Sequence, residues 1–166
     1  MSTSTSTHLI TRTHTAVHLS NAIFGAITEV LIHLGIPAKE LIDEWYDYYD
    51  PALRAWIEEG SLACVVVECH RPGGAVEPVL EFPIMYTSGS AELSHRHIAL
   101  ARQWAKLKRV PVGTTFGIIC QYNGYYTPQP HWGPAERAST AGMGSVTLGT
   151  LAEGPGASAS LRYFTR

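Results

Sequence analysis

The chain has 166 residues, 45% of them hydrophobic and 16% charged, with a formal net charge of −2. This length and composition predict one folded domain and exclude a wholly disordered chain. The slight negative charge argues against a surface for DNA or RNA, because such surfaces need clustered Lys and Arg.

The amino-terminal run "MSTSTST" has neither the basic region nor the apolar region of a signal peptide. We find no run of about 18 apolar residues, so the sequence predicts no membrane-spanning helix. The three cysteines, Cys64, Cys69 and Cys120, lie in or beside apolar stretches, which favours a reducing compartment.

Helices are predicted in the first third of the chain. The Ser/Thr-rich residues 1–12 are expected to form a flexible tail. Apolar residues then recur at three- and four-residue spacing over 13–34, which predicts an amphipathic helix. A second helical region runs from Pro37 to Gly60, with Asp50-Pro51 as a kink or the start of a further turn.

Three strands and one helix are predicted in the middle of the chain. Residues 62–68 form a near-continuous apolar run, typical of a strand covered on both faces. Residues 79–86 alternate like a half-buried strand, in which Pro83 favours a sheet edge or a bulge. A helix over 91–108 and a strand over 115–122 follow. The side chains on one face of that strand are Phe116, Ile118, Cys120 and Tyr122.

The end of the chain is irregular and then poor in charge. Residues 123–137 are rich in Gly, Pro and aromatic residues, and long irregular connections in a compact domain tend to be functional. Residues 139–166 are mainly small and uncharged. The element order predicts an α+β domain with three main helices packed on one face of a mostly antiparallel sheet.

Patterns for catalysis or metal binding are weak. His14 and His18 share a helix face, but Thr15 stands where a zinc-protease helix has Glu, and no third ligand is signalled. His95 and His97 point in divergent directions on a helix. Nucleophile elbows, phosphate loops and dinucleotide-binding patterns are missing. The residues alone therefore predict a binding domain without an active site, a cofactor or a metal.

Three separated stretches resemble those of bacterial HORMA domain proteins from CBASS anti-phage operons. The stretch "RTHTAVHLSNAIFGAITEVLIHLGI" resembles their first helix, and "DEWYDYYDPALRAWIEEGSLACVVVECH" resembles their second helix and the strand after it. The stretch "ASTAGMGSVTLGTLAEGPGASASLRYFTR" is similar to their closing segment. The resemblance covers roughly residues 11–166, rests on order and spacing, and implies a HORMA-like fold.

The resemblance implies a peptide-binding adaptor rather than an enzyme. HORMA domains hold a short closure-motif peptide as an added strand beneath a carboxy-terminal safety belt. Members from CBASS operons bind and activate a cGAS/DncV-like nucleotidyltransferase, and a AAA+ ATPase reopens them through the amino-terminal region. These partners, and a location in the bacterial cytoplasm, come with the resemblance alone.

The resemblance also implies a division of this chain into a tail over 1–12, a core over 13–137 and a safety belt over 138–166. Small residues suit a belt that must detach, because few side chains bind it and glycines act as hinges. Residues 149–159 are expected to be its flexible span. The residues expected to act in peptide binding and in the belt are Ser139, Thr140, Gly142, Met143, Val146, Leu148, Gly149, Leu161, Tyr163 and Phe164.

Two further sets of residues follow from the resemblance. The peptide is expected to pair with strand 115–122, whose residues on one face are Phe116, Ile118, Cys120 and Tyr122. The ATPase is expected to engage the tail residues Thr7, His8, Leu9 and Ile10. Strand alternation predicts that Leu161 and Tyr163 face one side of the sheet and Phe164 the other.

Two alternatives remain open. The first keeps peptide binding but removes the conformational switch, which leaves a constitutive peptide-binding or self-associating scaffold. The second is a small hydrolase or metal enzyme built on the histidines, which stoichiometric zinc in the purified protein would favour.

Overall fold

Four α-helices and six strands form the fold in the computed structural model, which describes residues 3–89 and 92–166, with side chains from Thr11 onward. In chain order they are α1 (Thr3–Leu34), α2 (Lys39–Glu44), α3 (Asp50–Glu59), β1 (Leu62–His70), β2 (Val76–Tyr86), β3 (Ser94–His95), α4 (His97–Trp104), β4 (Thr115–Tyr122), β5 (Gly144–Gly154) and β6 (Ala157–Thr165). A π-helical turn, Trp45–Tyr49, joins α2 to α3.

The six strands form one sheet in the order β3-β5-β6-β2-β1-β4, and every neighbouring pair is antiparallel. Helix α1 packs against α3 and lies on the sheet over β5 and β6. The main core fills the space between helices and sheet, and Trp45 and Trp56 are fully buried there. The predicted α+β architecture is confirmed.

Helix α1 begins at Thr3, although the sequence predicted a flexible tail to residue 12 and a helix from residue 13. The physical reason is cooperativity, since each residue added to an existing helix gains one hydrogen bond without a new nucleus. Residues 1–2 lie outside the described residues. Thr7, His8, Leu9 and Ile10 therefore lie in the helix, and their side chains lie outside the described part.

Part of α1 also meets the length and composition of a membrane span, contrary to the expectation from the sequence. The segment Thr11–Leu34 contains an apolar window with a mean hydropathy of 1.4, and half of that window is buried inside the fold. Ala16, Leu19 and Ile23 are completely buried. A core helix passes the same test of length and composition, so the match is weak evidence for a membrane.

Two other helix boundaries differ from the prediction. Helix α2 begins at Lys39 rather than at Pro37. The predicted helix over 91–108 is shorter, because Ser94 and His95 pair with β5 as a strand and α4 begins only at His97. Pairing with a neighbouring strand satisfies the same backbone groups that a helix would use, so the tertiary contact overrides the helical spacing.

Strand β2 lies inside the sheet, so an edge position for Pro83 is wrong. On one side Pro83 stands opposite Cys64 of β1. On the other side the pairs with β6 end at Glu81 and resume at Ile84. Proline has no N–H to donate, and it is tolerated here because the ladder to β6 is interrupted where it lies.

Residues 149–159 form the turn and paired ends of a hairpin between β5 and β6, not a flexible span. The hydroxyl of Thr15 in α1 donates a hydrogen bond to the Pro155 carbonyl over 2.7 Å. A Cβ on Gly154 would lie 2.6 Å from Leu93 Cδ2 and 2.8 Å from Thr15 Oγ1. Small residues here allow the turn to approach α1 closely.

The two faces of β6 match the predicted alternation. Leu161 and Tyr163 are buried in the main core beneath the helices. Phe164 packs on the opposite face of the sheet, against a second cluster formed by Cys64, Val66 and Val79. Strand β1 is accordingly covered on both faces, as its continuous apolar run predicted.

A buried hydrogen bond between helices supplies the first testable prediction. The Ser20 hydroxyl of α1 donates to Asp50 Oδ1 of α3 over 2.6 Å, and both residues are buried. Asp50→Ala should lower the free energy of unfolding by about 1.5–3 kcal/mol in urea titrations, because it leaves a buried hydroxyl unpaired. Asp47→Ala, at an exposed position, should change it by less than about 0.5 kcal/mol. Equal effects would show that the bond contributes nothing specific.

A second prediction concerns the close approach of the hairpin to α1. Gly154→Ala should destabilise the chain by about 1–3 kcal/mol, because the added methyl group overlaps Thr15 and Leu93. Gly73→Ala is the matched control, since a Cβ there meets no atom within 4 Å. Thermal and urea unfolding measure both variants. A Gly154 variant as stable as the Gly73 control would mean that the hairpin is not seated as described.

Candidate functional site

Strand β4 has one free edge. It pairs with β1 from Thr115 opposite His70 to Tyr122 opposite Leu62. No strand in residues 3–89 and 92–166 pairs with its other side. Alternate N–H and C=O groups along that side therefore have no ladder partner, and an extended peptide can complete them.

The side chains of β4 divide between the two faces of the sheet. Phe116, Ile118, Cys120 and Tyr122 pack against the main core, as the alternation predicted. Ile119 packs on the opposite face. Burial raises the pKa of Cys120, so this thiol is a small apolar side chain in the sheet rather than a nucleophile.

Residues 123–143, here called the crossing segment, pass from the helical side of the sheet around the free edge of β4 to the opposite face. Their start is held on the helical side. The Trp56 indole N–H donates to the Thr127 carbonyl over 2.7 Å, and the Thr127 N–H donates to Glu59 over 3.2 Å. Tyr126 stacks on Tyr122, with ring centroids 3.6 Å apart.

Trp132 is the middle anchor of the crossing segment. Its indole N–H donates to the Tyr48 carbonyl over 3.0 Å. Its ring meets Trp56 and Tyr49 edge to face, at centroid distances of 5.3 Å and 5.7 Å. Trp132 therefore links the helices to the crossing segment.

On the opposite face the crossing segment meets two buried carboxylates. Arg137 Nη2 lies 2.6 Å from Glu81 Oε1, and Arg162 of β6 binds the other oxygen of Glu81. The Ala138 N–H donates to Glu68. Both glutamate side chains are 4% exposed, so their charges need these partners. The crossing segment thus supplies one of the two arginines that hold Glu81.

The last part of the crossing segment covers the second cluster. Met143 packs on Cys64, Val66 and Val79. Burial, with the nearby Glu81 carboxylate, raises the pKa of the Cys64 thiol to about 12. Met143 therefore forms part of the cover of the cluster that contains this thiol.

The residues predicted for the belt occupy two places. Ser139, Thr140 and Gly142 form a turn before β5, in which the Met143 N–H donates to the Thr140 carbonyl over 3.1 Å and Gly142 has φ 78°. The others lie in the hairpin of β5 and β6. In β5, Val146 is exposed, Leu148 is half-buried, and Gly149 has φ 106° beside a register shift. The residues in β6 are Leu161, Tyr163 and Phe164. The crossing starts at Asn123, well before the expected belt boundary at 138.

A groove runs along the free edge of β4, between this strand and the α2–π-turn region. It consists of two adjoining cavities of about 400 Å³ and 440 Å³, which share Glu44, Tyr49 and Ile118 in their linings. Residues 131–133 of the crossing segment wall one end. None of the predicted belt residues lines the groove, whereas Ile118 and Phe116 of the predicted pairing strand do.

The groove is negatively charged at one side. Glu40 and Glu44 line it from α2. Burial raises the pKa of Tyr49, and the charges of Glu44 and Glu40 raise it further, so both carboxylates act on this side chain. The Tyr49 hydroxyl therefore stays protonated at neutral pH and can donate or accept a hydrogen bond.

Of the histidines considered for metal binding, His18 and His95 lie with ring centroids 6.2 Å apart, and the others are exposed or paired with other groups. His14 is exposed, and a ring nitrogen of His18 lies 2.7 Å from the Ser94 carbonyl. His97 pairs with Glu29 at 2.8 Å. In the described part of the chain, no group of three or more His, Cys, Asp or Glu residues could hold a metal ion.

Comparisons with solved structures bear on the fold. A chain of the mitotic checkpoint complex superposes with a TM-score of 0.72 at 10% identity, over 89% of this chain and 95% of that one. HTP-2 of C. elegans bound to the HIM-3 closure motif superposes with a TM-score of 0.61 at 14% identity, over 88% of this chain and 87% of that one. A chain of the HORMA:CdnC:Trip13 complex of E. coli MS115-1 superposes with a TM-score of 0.60 at 15% identity, over 91% of this chain and 87% of that one.

The sequence itself is matched at the level of a family. No curated protein matches it significantly. Residues 4–166 match the family described as Bacterial HORMA domain 2, which is nearly the whole length. The chain therefore belongs to the Bacterial HORMA domain 2 family.

Proposed function

We propose that this chain is an adaptor that binds a closure-motif peptide as an added strand on β4, beneath the crossing segment, which acts as the safety belt. The free edge of β4, bordered by a groove and enclosed by this segment, is the observation that carries the proposal. Backbone hydrogen bonds along an edge supply affinity without a cofactor. HTP-2 bound to the HIM-3 closure motif, which has a similar fold, supports this mode.

In this proposal the peptide belongs to a cGAS/DncV-like nucleotidyltransferase of a bacterial anti-phage system, which the adaptor activates in the cytoplasm. A AAA+ ATPase engages the beginning of α1, at Thr7–Ile10, and reopens the adaptor. The resemblance of the sequence and the solved E. coli HORMA:CdnC:Trip13 complex support these partners. The adaptor has no catalytic role of its own.

A peptide that lies beneath the crossing segment can leave only when this segment moves. Its directed attachments include the Thr127 contacts, the Trp132 N–H, and the Arg137 and Ala138 contacts to buried glutamates, and Tyr126 and Met143 add packing contacts. A small number of directed contacts can be broken together, which suits a switch between two discrete states. A scaffold that never switches would keep all of them in the presence of the ATPase.

The first test removes the middle anchor. Trp132→Ala should reduce the nucleotidyltransferase retained in co-purification by about tenfold or more, because a half-buried tryptophan that anchors a segment contributes on the order of 2 kcal/mol. Tyr125→Ala is the matched control, since Tyr125 lies in the same segment and is 84% exposed. These substitutions are preferable to a stop after Arg137, which would also remove the buried Leu151 and Leu161.

Circular dichroism and thermal unfolding establish that both variants are folded. Equal retention of the nucleotidyltransferase by folded Trp132→Ala and Tyr125→Ala proteins would contradict the proposed enclosure of the peptide. Loss of retention in both would point to a general effect on the segment.

A second test uses Cys64 as a reporter of opening. The test protein carries Cys69→Ala and Cys120→Ala, so that Cys64 is its only thiol. Addition of the ATPase with ATP should raise the rate of thiol labelling at pH 7 by about a hundredfold or more. The reason is that exposure returns the pKa of Cys64 from about 12 toward about 8.5. Arg137→Ala should raise the rate without ATPase. A protein that retains only Cys69, buried under the helical layer, is the control. A labelling rate of Cys64 that is the same with and without the ATPase would favour the scaffold without a switch.

A further inference from the structure

The cavity at the end of the groove walled by residues 131–133 is built from aromatic rings and a carboxylate. It measures about 400 Å³ and is lined by Glu44, Tyr48, Tyr49, Ile118, His131 and Trp132, with Gly133 at its rim. We call it the aromatic cavity. The neighbouring cavity of the groove is more aliphatic, with Ile36, Leu41 and Phe116 in its lining.

The walls of the aromatic cavity hold one another in place. The ring of Tyr49 stands at 90° to that of Trp132, and the ring of Tyr48 stands at 82° to that of His131 with centroids 4.7 Å apart. The Trp132 N–H is bonded to the Tyr48 carbonyl. His131 has φ 68°, a conformation that non-glycine residues seldom adopt and that clusters at ligand sites. The rings are therefore preorganised around an open space.

The charge in this space is uncompensated. Within the described residues, neither Glu44 nor Glu40, one helical turn away, has a hydrogen bond or an ion pair, and no Lys or Arg side chain lines either cavity. Lys39 is paired with Asp43, and Arg109 lies against Gly35 outside the lining. A half-buried carboxylate beside electron-rich ring faces attracts a cation, by charge and by cation–π contact.

We propose that the aromatic cavity binds the side chain of a Lys or Arg residue in the partner's peptide. This inference rests on the proposed peptide binding at β4. Because Ile118 of β4 lines the cavity, the basic residue lies beside Ile118 on the face turned toward the helices. Residues two positions along an extended chain share a face, so the next inward side chain meets the aliphatic cavity and should be apolar.

The test is selection of a phage-displayed library of random peptides on the full-length wild-type chain, with long incubation so that the crossing segment can open. Enriched peptides should combine a Lys or Arg with an apolar residue two positions away. In a synthetic peptide of the enriched sequence, replacement of the basic residue by Met should weaken binding about tenfold, measured by fluorescence anisotropy.

Three variants of the chain assign the effect to the cavity. Glu44→Gln and Tyr48→Leu should each reduce the roughly tenfold preference for Lys or Arg over Met by threefold or more. Tyr48 holds Trp132 through its backbone carbonyl, so Tyr48→Leu removes a ring without removing that anchor. Glu40→Gln is the matched control, because Glu40 lies on the same helix but lines only the neighbouring cavity. It should keep most of the preference.

The outcomes separate this inference from the proposed function. The inference is overturned, with peptide binding left intact, if the enriched peptides lack a basic residue. It is also overturned if Glu44→Gln and Glu40→Gln change the preference for Lys or Arg over Met equally. If no peptide is enriched and the nucleotidyltransferase is also not retained by wild-type protein, the proposed function fails and the inference fails with it. If no peptide is enriched although the wild-type protein retains the nucleotidyltransferase, the inference is also overturned, because the groove then does not bind a linear basic peptide.

Discussion

The structure depends on one buried carboxylate. Glu81 lies on the face of the sheet away from the helices, and it binds one arginine from the crossing segment and one from β6. A buried ion pair adds little net stability compared with an apolar pair of the same shape, but loss of one partner is costly. Glu81 therefore fixes the positions of Arg137 and Arg162 relative to each other. Through these two arginines, the crossing segment and β6 are both attached to the same carboxylate.

A line of aromatic rings makes the corresponding connection on the helical side. Phe24 of α1 stacks on Trp45, Trp45 stacks on Tyr49, and Tyr49 meets Trp132 of the crossing segment. Each centroid separation, 4.7 Å, 5.4 Å and 5.7 Å, lies in the range of favourable ring contacts. The crossing segment is thus attached to the most buried part of the molecule by rings, which can separate without leaving an unpaired charge.

The small residues near the carboxyl end have a different role from the one that composition alone suggested. They were expected to give a loose span, but β5 and β6 pair over this stretch, with register shifts between Thr147 and Gly149 and between Thr150 and Ala152. Gly154 allows the turn to approach Thr15, and Ala157 and Ala159 are buried where larger side chains would hold the strand away from α1. The segment without regular strand pairing is the crossing segment, most of which, residues 123–137, was predicted as an irregular connection.

The sequence by itself determined the features that depend on neighbouring residues. It predicted β4 over 115–122, the end of the first helix at residue 34, the end of a helical region at Gly60, which has φ 82°, and the opposite faces of Tyr163 and Phe164. Backbone geometry sets such features locally. Only the tertiary structure decided that Ser94 and His95 pair as a strand, that β2 lies inside the sheet, and that Glu44 and Trp132 line one cavity. These residues are far apart in the chain, and their proximity depends on the order of strands and on packing, which no local periodicity records.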